Sequence, residues 1–354
     1  MVSPLRYAVV GSGMMGHEHI RNLELVDGAE VIAVADPHRE SRWWAQQVAN
    51  RELLEFEDTK SLINGAAIDA VIVASPNHTH RDVLEPLFET DLPILCEKPL
   101  CTTLDDARYV ADKAANHRAV FWVGMEYRYM APVERLVAEV HGGKIGTLRM
   151  LAIREHRFPF LPKVGDWNRF ARNTGGTFVE KCCHFFDLMR LVVRDEPKRV
   201  YASAGQDVNH LDERYAGAVP DILDNGFVTV DFESGARALL DLCMFAEASR
   251  NEQEIAATGD LGKIEASVPD GRITTGTRKP HKVESETLTV PPKILAAGSH
   301  FGSTYVEHLA FKRAIEESLP ASVTAEDGLR AVAMGVAAEQ SAKQCQPIEM
   351  ASLV

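Results

Sequence analysis

Two short stretches carry residue types that can do proton chemistry. In "GGTFVEKCCHFFD" (175–187), Glu180, His184 and Asp187 stand four and then three residues apart. If the segment from 180 to 187 is helical, that spacing puts all three on one face, where they would present a common polar surface to a substrate. In "CEKPL" (96–100), Lys98 sits between Glu97 and Pro99. Histidine ionises near neutral pH, and lysine reaches that range by burial or beside another cation, so His184 and Lys98 are the acid–base candidates. The plainer alternatives are a hydrogen-bonded core histidine and an exposed loop lysine. Cys182 and Cys183 precede His184 directly, but neighbouring side chains on a helix diverge by about 100°, so they read as ordinary buried thiols and no metal is expected.

A third stretch, "VVGSGMMGHEH" (9–19), spaces Gly11, Gly13 and Gly16 as G-x-G-x-x-G, with Met14 and Met15 inside the motif. In a chain with 24 glycines the pattern alone is weak. Context strengthens it: the motif follows an apolar run, opens a helix-like segment, and is followed 20 residues after Gly16 by Asp36. Gly11 permits the turn, Gly13 admits a pyrophosphate close to the backbone, and Gly16 allows helix and strand to approach; the helix N-terminus then faces the phosphates. A carboxylate at Asp36 accepts both adenosine ribose hydroxyls and repels a 2'-phosphate, which favours NAD over NADP. Arg39 is close enough to pair with that phosphate, so NADP use stays open.

These residues need elements to hold them. "RYAVVG" (6–11), "EVIAVAD" (30–36), "DAVIVAS" (69–75), "PILCEK" (93–98) and "AVFWVG" (119–124) are apolar throughout, as expected of parallel strands covered on both faces. Segments such as "TLDDARYVADKAANH" are long enough for crossover helices, with Thr102 and Thr103 available as caps. The expected fold class is therefore α/β: a doubly wound Rossmann domain over 1–125, then an α+β domain over 126–354 with a large, mainly antiparallel sheet. In the latter, helices are expected from Pro132 to Val140 and from about Glu180 to Val193. Ser234-Gly235 reads as a hairpin turn. Residues 268–300, rich in Pro, Gly, Thr and basic charge, read as a solvated excursion or hairpin, with a lid over an anionic substrate as the alternative. Two helices close the chain, and the domain assignment leaves room for them to pack back on the first domain.

The acids outnumber the bases 51 to 38, for a net charge of -13, which argues against a nucleic-acid partner and suits a small-molecule one. The N-terminal apolar run is too short for a signal peptide or a membrane span, so a cytoplasmic protein is expected. The six cysteines lack paired CxxC spacing and indicate neither disulfides nor structural zinc.

GSGMMG, Asp36, "SPNHTH" (75–80), "EKP" (97–99), "EYRY" (126–129) and "GGTFVEKCCHFFD" together resemble the glucose-fructose oxidoreductase, inositol dehydrogenase and MocA family of NAD(P)-dependent dehydrogenases, in order and spacing across essentially the whole chain. The resemblance implies hydride transfer between NAD(P) and a secondary hydroxyl of a sugar, inositol or related polyol. It implies Lys98 near the nicotinamide and the reacting hydroxyl, Glu97 on the nicotinamide ribose, and His184 exchanging the proton with the alcohol. Glu180 stands where many relatives have Asp, so its carboxylate lies one methylene further out. Ser75, Pro76, Asn77 and His80 end a strand at the edge where such sheets bind cofactor, although loop histidines such as His78 and His80 are commonly just solvated. Tyr127, Arg157 and Trp167 are further substrate candidates, since polyols are held by charged groups and an aromatic face. By family analogy an exposed sheet face implies a homodimer or homotetramer. The alternatives are a retained-cofactor sugar–sugar oxidoreductase, a redox-assisted glycosidase, and a sensor of dinucleotide and sugar that does no chemistry.

Overall fold

A computed structural model describes residues 3–353. They form two compact units: the chain up to Glu126 with Lys163–Trp167 and Pro291–Leu329, and Tyr127–Pro162 with Asn168–Val290 and the chain from Arg330 on.

The first unit runs β1 (Leu5–Val10), α1 (Met14–Leu23), β2 (Ala29–Ala35), α2 (Arg39–Ala49), β3 (Leu54–Phe56), α3 (Thr59–Gly65), β4 (Ala70–Val73), α4 (His80–Leu84), β5 (Ile94–Glu97), α5 (Leu104–Ala115) and β6 (Phe121–Gly124). All six strands are parallel, in the order β3-β2-β1-β4-β5-β6. The apolar runs became strands because helices cover both faces: every residue of β4, β5 and β6 is buried. Thr103 is the cap that α5 uses, its hydroxyl accepting the Asp106 N–H. Strand order reverses between β1 and β4, so the crevice beyond their carboxyl ends is where such a sheet binds ligands.

The second unit holds α6 (Ala131–His141), β7 (Leu148–His156), α7 (Ala171–Thr174), α8 (Thr177–Glu180), α9 (Cys183–Val193), β8 (Pro197–Gly205), β9 (Asn225–Phe232), β10 (Arg237–Cys243), β11 (Gln253–Gly259), β12 (Gly262–Val268), β13 (Arg272–Thr277) and β14 (Lys282–Thr287). The chain then passes through α10 (Pro292–Leu295), α11 (Ser303–Glu317) and α12 (Ala325–Gln344) to β15 (Ile348–Glu349). Nine strands form one sheet, β14-β13-β12-β11-β7-β10-β9-β8-β15, antiparallel except where β7 meets β10. Gly235, at φ 85°, makes the β9–β10 turn as the sequence predicts. Strand alternation sets the faces: Leu151, Ile153 and Glu155 of β7 point into the buried side, while Met150 and Ala152 point out.

One expectation needs correction. The helix predicted from about Glu180 is broken: α8 ends at Glu180, Lys181 and Cys182 form a turn, and α9 starts at Cys183. Glu180, His184 and Asp187 therefore do not share one continuous helical face. Residues 268–300 hold the hairpin expected there: β13 and β14 pair antiparallel and extend the sheet to an edge, where Lys282, Glu284 and Glu286 of the exposed β14 discourage further pairing.

Candidate active site

Three glycines shape the first unit's crevice. Gly11, at φ +92°, lies so close to the Ala74–Ser75 backbone that no Cβ fits. A Cβ on Gly16 would run into the Gly11 carbonyl oxygen, so α1 approaches β1 only because glycine stands there. Gly13 caps α1 with no side-chain hydrogen bond, and open space lies where its Cβ would be. The first-turn N–H groups of α1 thus face outward with the positive end of the helix behind them. Around them, Ser12 Oγ and Asn77 Nδ2 are buried polar atoms with no protein partner. Open glycine, exposed helix N-terminus and two orphaned polar groups fit the pyrophosphate of a dinucleotide.

Asp36 directly follows β2 as a buried carboxylate. Its Oδ2 accepts the Ser12 N–H at 2.8 Å and its Oδ1 the His38 N–H at 2.8 Å. It therefore ties the glycine turn to the second strand. Arg42, which sequence reasoning missed, donates to the Asp36 carbonyl at 2.6 Å and to Glu55, leaving Arg39 exposed at the start of α2. Met14 is exposed and Met15 half-buried. Ser75 Oγ accepts from the Thr79 hydroxyl at 2.9 Å, and Pro76 precedes the short turn that starts at Asn77.

His80 departs from the expectation of a solvated loop histidine. Its ring is wholly buried, with Nε2 3.1 Å from the Ser75 carbonyl oxygen and Nδ1 3.0 Å from that of Pro99. It braces the loop after β4 against the loop after β5, and burial pushes its pKa down in spite of those carbonyls. His78 is exposed, its ring 5.8 Å from that of half-buried Trp167.

Lys98, half-buried, follows the last residue of β5. Its N–H donates to Glu97 Oε2 at 3.1 Å, and Glu97 Oε1 lies 2.9 Å from His19 Nε2 on α1. Burial pushes Glu97 up, but the His19 hydrogen bond and the charges of His19, Lys98 and His300 outweigh it, and the net shift is downward. His19 stood inside the glycine stretch, three residues past Gly16, with nothing in the sequence to pair it with Glu97.

In the second unit His184 and Glu180 are both buried. The Tyr127 ring stacks on His184. Tyr127 Oη accepts from Lys181 Nζ at 2.6 Å, and Lys181 also pairs with Glu155 Oε1 at 2.9 Å. Glu155 takes a further hydrogen bond from Gln253 Nε2 at 2.8 Å and lies 3.5 Å from Arg157 Nη1. Asp187 is engaged by Arg128 through both carboxylate oxygens, which ties α9 to the turn before α6. Lys181 and Glu155 were missed; the alternation of "LAIRE" was the available signal, because it puts Glu155 on the face of Leu151 and Ile153. The structure groups Tyr127, Arg157, Glu180 and His184 in this unit, and Lys98 and Trp167 with the dinucleotide crevice in the first.

Among the described residues no group of three or more His, Cys, Asp or Glu is arranged to hold a metal ion, and no helix is long and apolar enough to cross a membrane.

Comparison with known proteins places these features. A family model described as the oxidoreductase-family NAD-binding Rossmann fold (Gfo/Idh/MocA) matches residues 5–125, and that for the C-terminal alpha/beta domain of the same family matches residues 137–350. The chain is 25% identical to the myo-inositol 2-dehydrogenase of Thermotoga maritima over 359 residues, 99% of this chain and 100% of that one. It is 32% identical to inositol 2-dehydrogenase 1 of Paenarthrobacter aurescens over 236 residues, 63% of this chain and 67% of that one. A solved levoglucosan dehydrogenase in complex with NADH and levoglucosan shares the fold, with a TM-score of 0.84, 20% identity, and coverage of 98% of this chain and 99% of that one. The chain belongs to the Gfo/Idh/MocA family of oxidoreductases, and its first unit is that family's NAD-binding Rossmann domain.

Proposed function

We propose that this protein is an NAD(P)-dependent dehydrogenase that oxidises a secondary hydroxyl of a sugar, inositol or related polyol, or reduces the corresponding ketone. Bound NAD supplies the hydride acceptor. The N–H groups at the start of α1, with Ser12 and Asn77, hold its phosphates, and Asp36 takes its adenosine ribose. His184 Nε2 or Nδ1 accepts the hydroxyl proton of the alcohol as its carbon loses hydride, and returns a proton in the reverse direction. The Lys98 ammonium donates a hydrogen bond to the same oxygen and stabilises the charge that develops on it while its proton moves to His184. Glu180, Arg157 and Trp167 recognise further hydroxyls and the CH face of the ring.

The strongest support is buried His184, stacked on Tyr127 in a unit that also buries Glu155, Glu180 and Lys181. So many ionisable side chains inside one core cost stability and are retained where a polar substrate needs them. The similarity to inositol dehydrogenases supports the polyol class. We also propose that the outward face of the nine-stranded sheet is a self-association surface, giving a dimer or tetramer.

The test is a screen of inositols, aldoses, glycosides and their keto forms by nicotinamide absorbance, with NAD and NADP in parallel. Turnover of one polyol, abolished in Lys98→Met and in His184→Ala while NADH still binds, is the expected result. Dinucleotide binding without turnover of anything would point instead to a retained-cofactor enzyme or a sensor. Full activity in Lys98→Met would remove that residue from the proton path.

A further inference from the structure

Three polar residues of α1, Glu18, His19 and Asn22, are buried in the first unit's interior beside Ile20 and Leu23. Asn22 binds locally, its Nδ2 donating to the Glu18 carbonyl at 2.9 Å. Glu18 accepts from Ser299 N at 3.1 Å, His300 Nδ1 at 2.7 Å and Thr304 Oγ1 at 3.0 Å; against the upward push of burial, these donors bring it down to about 2. Glu18 thus seats the segment before α11 on α1.

His19 is placed differently. Its ring is fully buried, and each nitrogen has one partner: Nε2 lies 2.9 Å from Glu97 Oε1, and Nδ1 lies 3.0 Å from Nε2 of His308 on α11. The second oxygen of Glu97 accepts the Lys98 N–H. His308, His19, Glu97 and the Lys98 backbone therefore form one unbroken line inside a single unit.

The charges on that line are constrained. Glu97 is held ionised, and an ionised carboxylate only accepts, so His19 Nε2 carries the hydrogen between them. Burial, with the charge of His19 adding to it, pushes His308 well below the ordinary histidine range, and its Nδ1 is buried without a hydrogen-bond partner. The line ends there. The other charged groups near Glu97 are Lys98, His300 and Glu126, and burial pushes Glu126 up. His19 Nε2 is a side-chain hydrogen-bond donor to Glu97 at 2.9 Å, and it comes from the helix that opens the dinucleotide crevice.

We infer that His19 is a positioning residue: it fixes the Glu97 carboxylate, and through it the Lys98 backbone, so that the lysine is presented at one place on the sheet edge. His308 holds the ring from behind. The inference rests on the proposed role of Lys98, and its test separates the two. A glutamine amide can stand in for Nε2 of histidine and an asparagine amide for Nδ1, so the two links can be cut one at a time.

The experiment compares His19→Gln, His19→Asn and His19→Leu in the full-length protein. Hydrogen exchange at residues 97–100 of the cofactor-free protein is the first readout, and kcat against pH on the polyol found by the screen is the second. His19→Leu and His19→Asn are expected to speed exchange of the Lys98 amide about tenfold or more and to lower kcat by about ten- to hundredfold, the scale of a lost hydrogen bond to a charged group. They should also move the acid limb of the pH profile upward, because a buried carboxylate without its donor takes a proton at higher pH. His19→Gln should restore exchange and the pH profile to near the wild-type values. Equal losses in all three variants with an unmoved pH limb would reduce His19 to ordinary packing and overturn the inference. If Lys98→Met retains turnover, the proposed role of the lysine fails, whereas the exchange pattern still decides whether His19 holds the loop.

Discussion

The imidazole of His184 lies parallel to the Tyr127 ring, with 8° between the planes and 4.1 Å between the centroids. Aromatic pairs usually prefer an offset or edge-on arrangement, so a parallel pair this close fixes the plane of the histidine ring. Tyr127 is itself held by Lys181, whose Nζ reaches its hydroxyl, and Lys181 is held by Glu155. Orientation of the His184 ring thus derives from β7 through two side chains.

Removing that plate should cost turnover without touching the dinucleotide. Tyr127→Leu is expected to lower kcat by about ten- to hundredfold, the scale set by misplacing a catalytic group by about 1 Å. Tyr127→Phe, which keeps the ring but loses the hydroxyl that Lys181 holds, should fall between wild type and Tyr127→Leu. NADH affinity, read by fluorescence titration, should be the same in all three proteins. A Leu variant with wild-type kcat would show that the stack does not orient His184.

Asp36 carries a second expectation. Its carboxylate already binds the Ser12 and His38 N–H groups, so Asp36→Ala should loosen the glycine turn and weaken both dinucleotides. The ribose hydroxyls of NAD lose an acceptor in addition, whereas the 2'-phosphate of NADP loses a repulsion. Calorimetry should therefore find a Kd increase for NAD about tenfold or more, with a clearly smaller one for NADP. Equal increases would leave Asp36 a purely structural residue.

The first unit was readable because its signals are local. A glycine whose Cβ would strike the next turn, or a wholly apolar run, means the same thing wherever the chain goes. The dinucleotide crevice follows from such features, and with it the parallel order of the strands. The second unit was readable only in class. Its polar core depends on pairings between distant segments: Glu155 with Lys181, Asp187 with Arg128, Glu339 with Phe178. The break at Lys181 and Cys182 has no proline or glycine to announce it. His19 and Glu97 lie 78 residues apart, and a buried histidine on an amphipathic helix looks no different in sequence from a solvated one.

The nine-stranded sheet leaves large apolar side chains on its outward face. Phe227, Met150 and Tyr201 are 58%, 61% and 42% exposed on strands β9, β7 and β8. Charged Arg237 and Asp241 of β10 stand beside Met150 and Phe227, so the face mixes exposed apolar side chains with charge, a composition that suits a self-association surface. Light scattering should give a mass of two or four chains, and Phe227→Glu should shift it downward with the fold intact by circular dichroism. A wild-type monomer at micromolar concentration would remove the sheet face as a self-association surface.

Glu339 of α12 is buried, with its Oε1 accepting the Phe178 N–H at 2.9 Å in the first turn of α8. Burial, with a smaller contribution from Asp221, raises its pKa from 4.5 to about 7. For an acid raised in this way the folded state keeps its proton after the unfolded state has lost it, so stability falls as pH rises from 4.5 to about 7 and is level above that. Glu339→Gln keeps the acceptor and removes the titration. The variant should gain about 2 to 3 kcal/mol over wild type on going from about pH 5 to about pH 8, measured by urea unfolding of both proteins at each pH. A gain that does not change with pH would mean that Glu339 is ionised throughout and that its carboxylate is better solvated or paired than its burial implies.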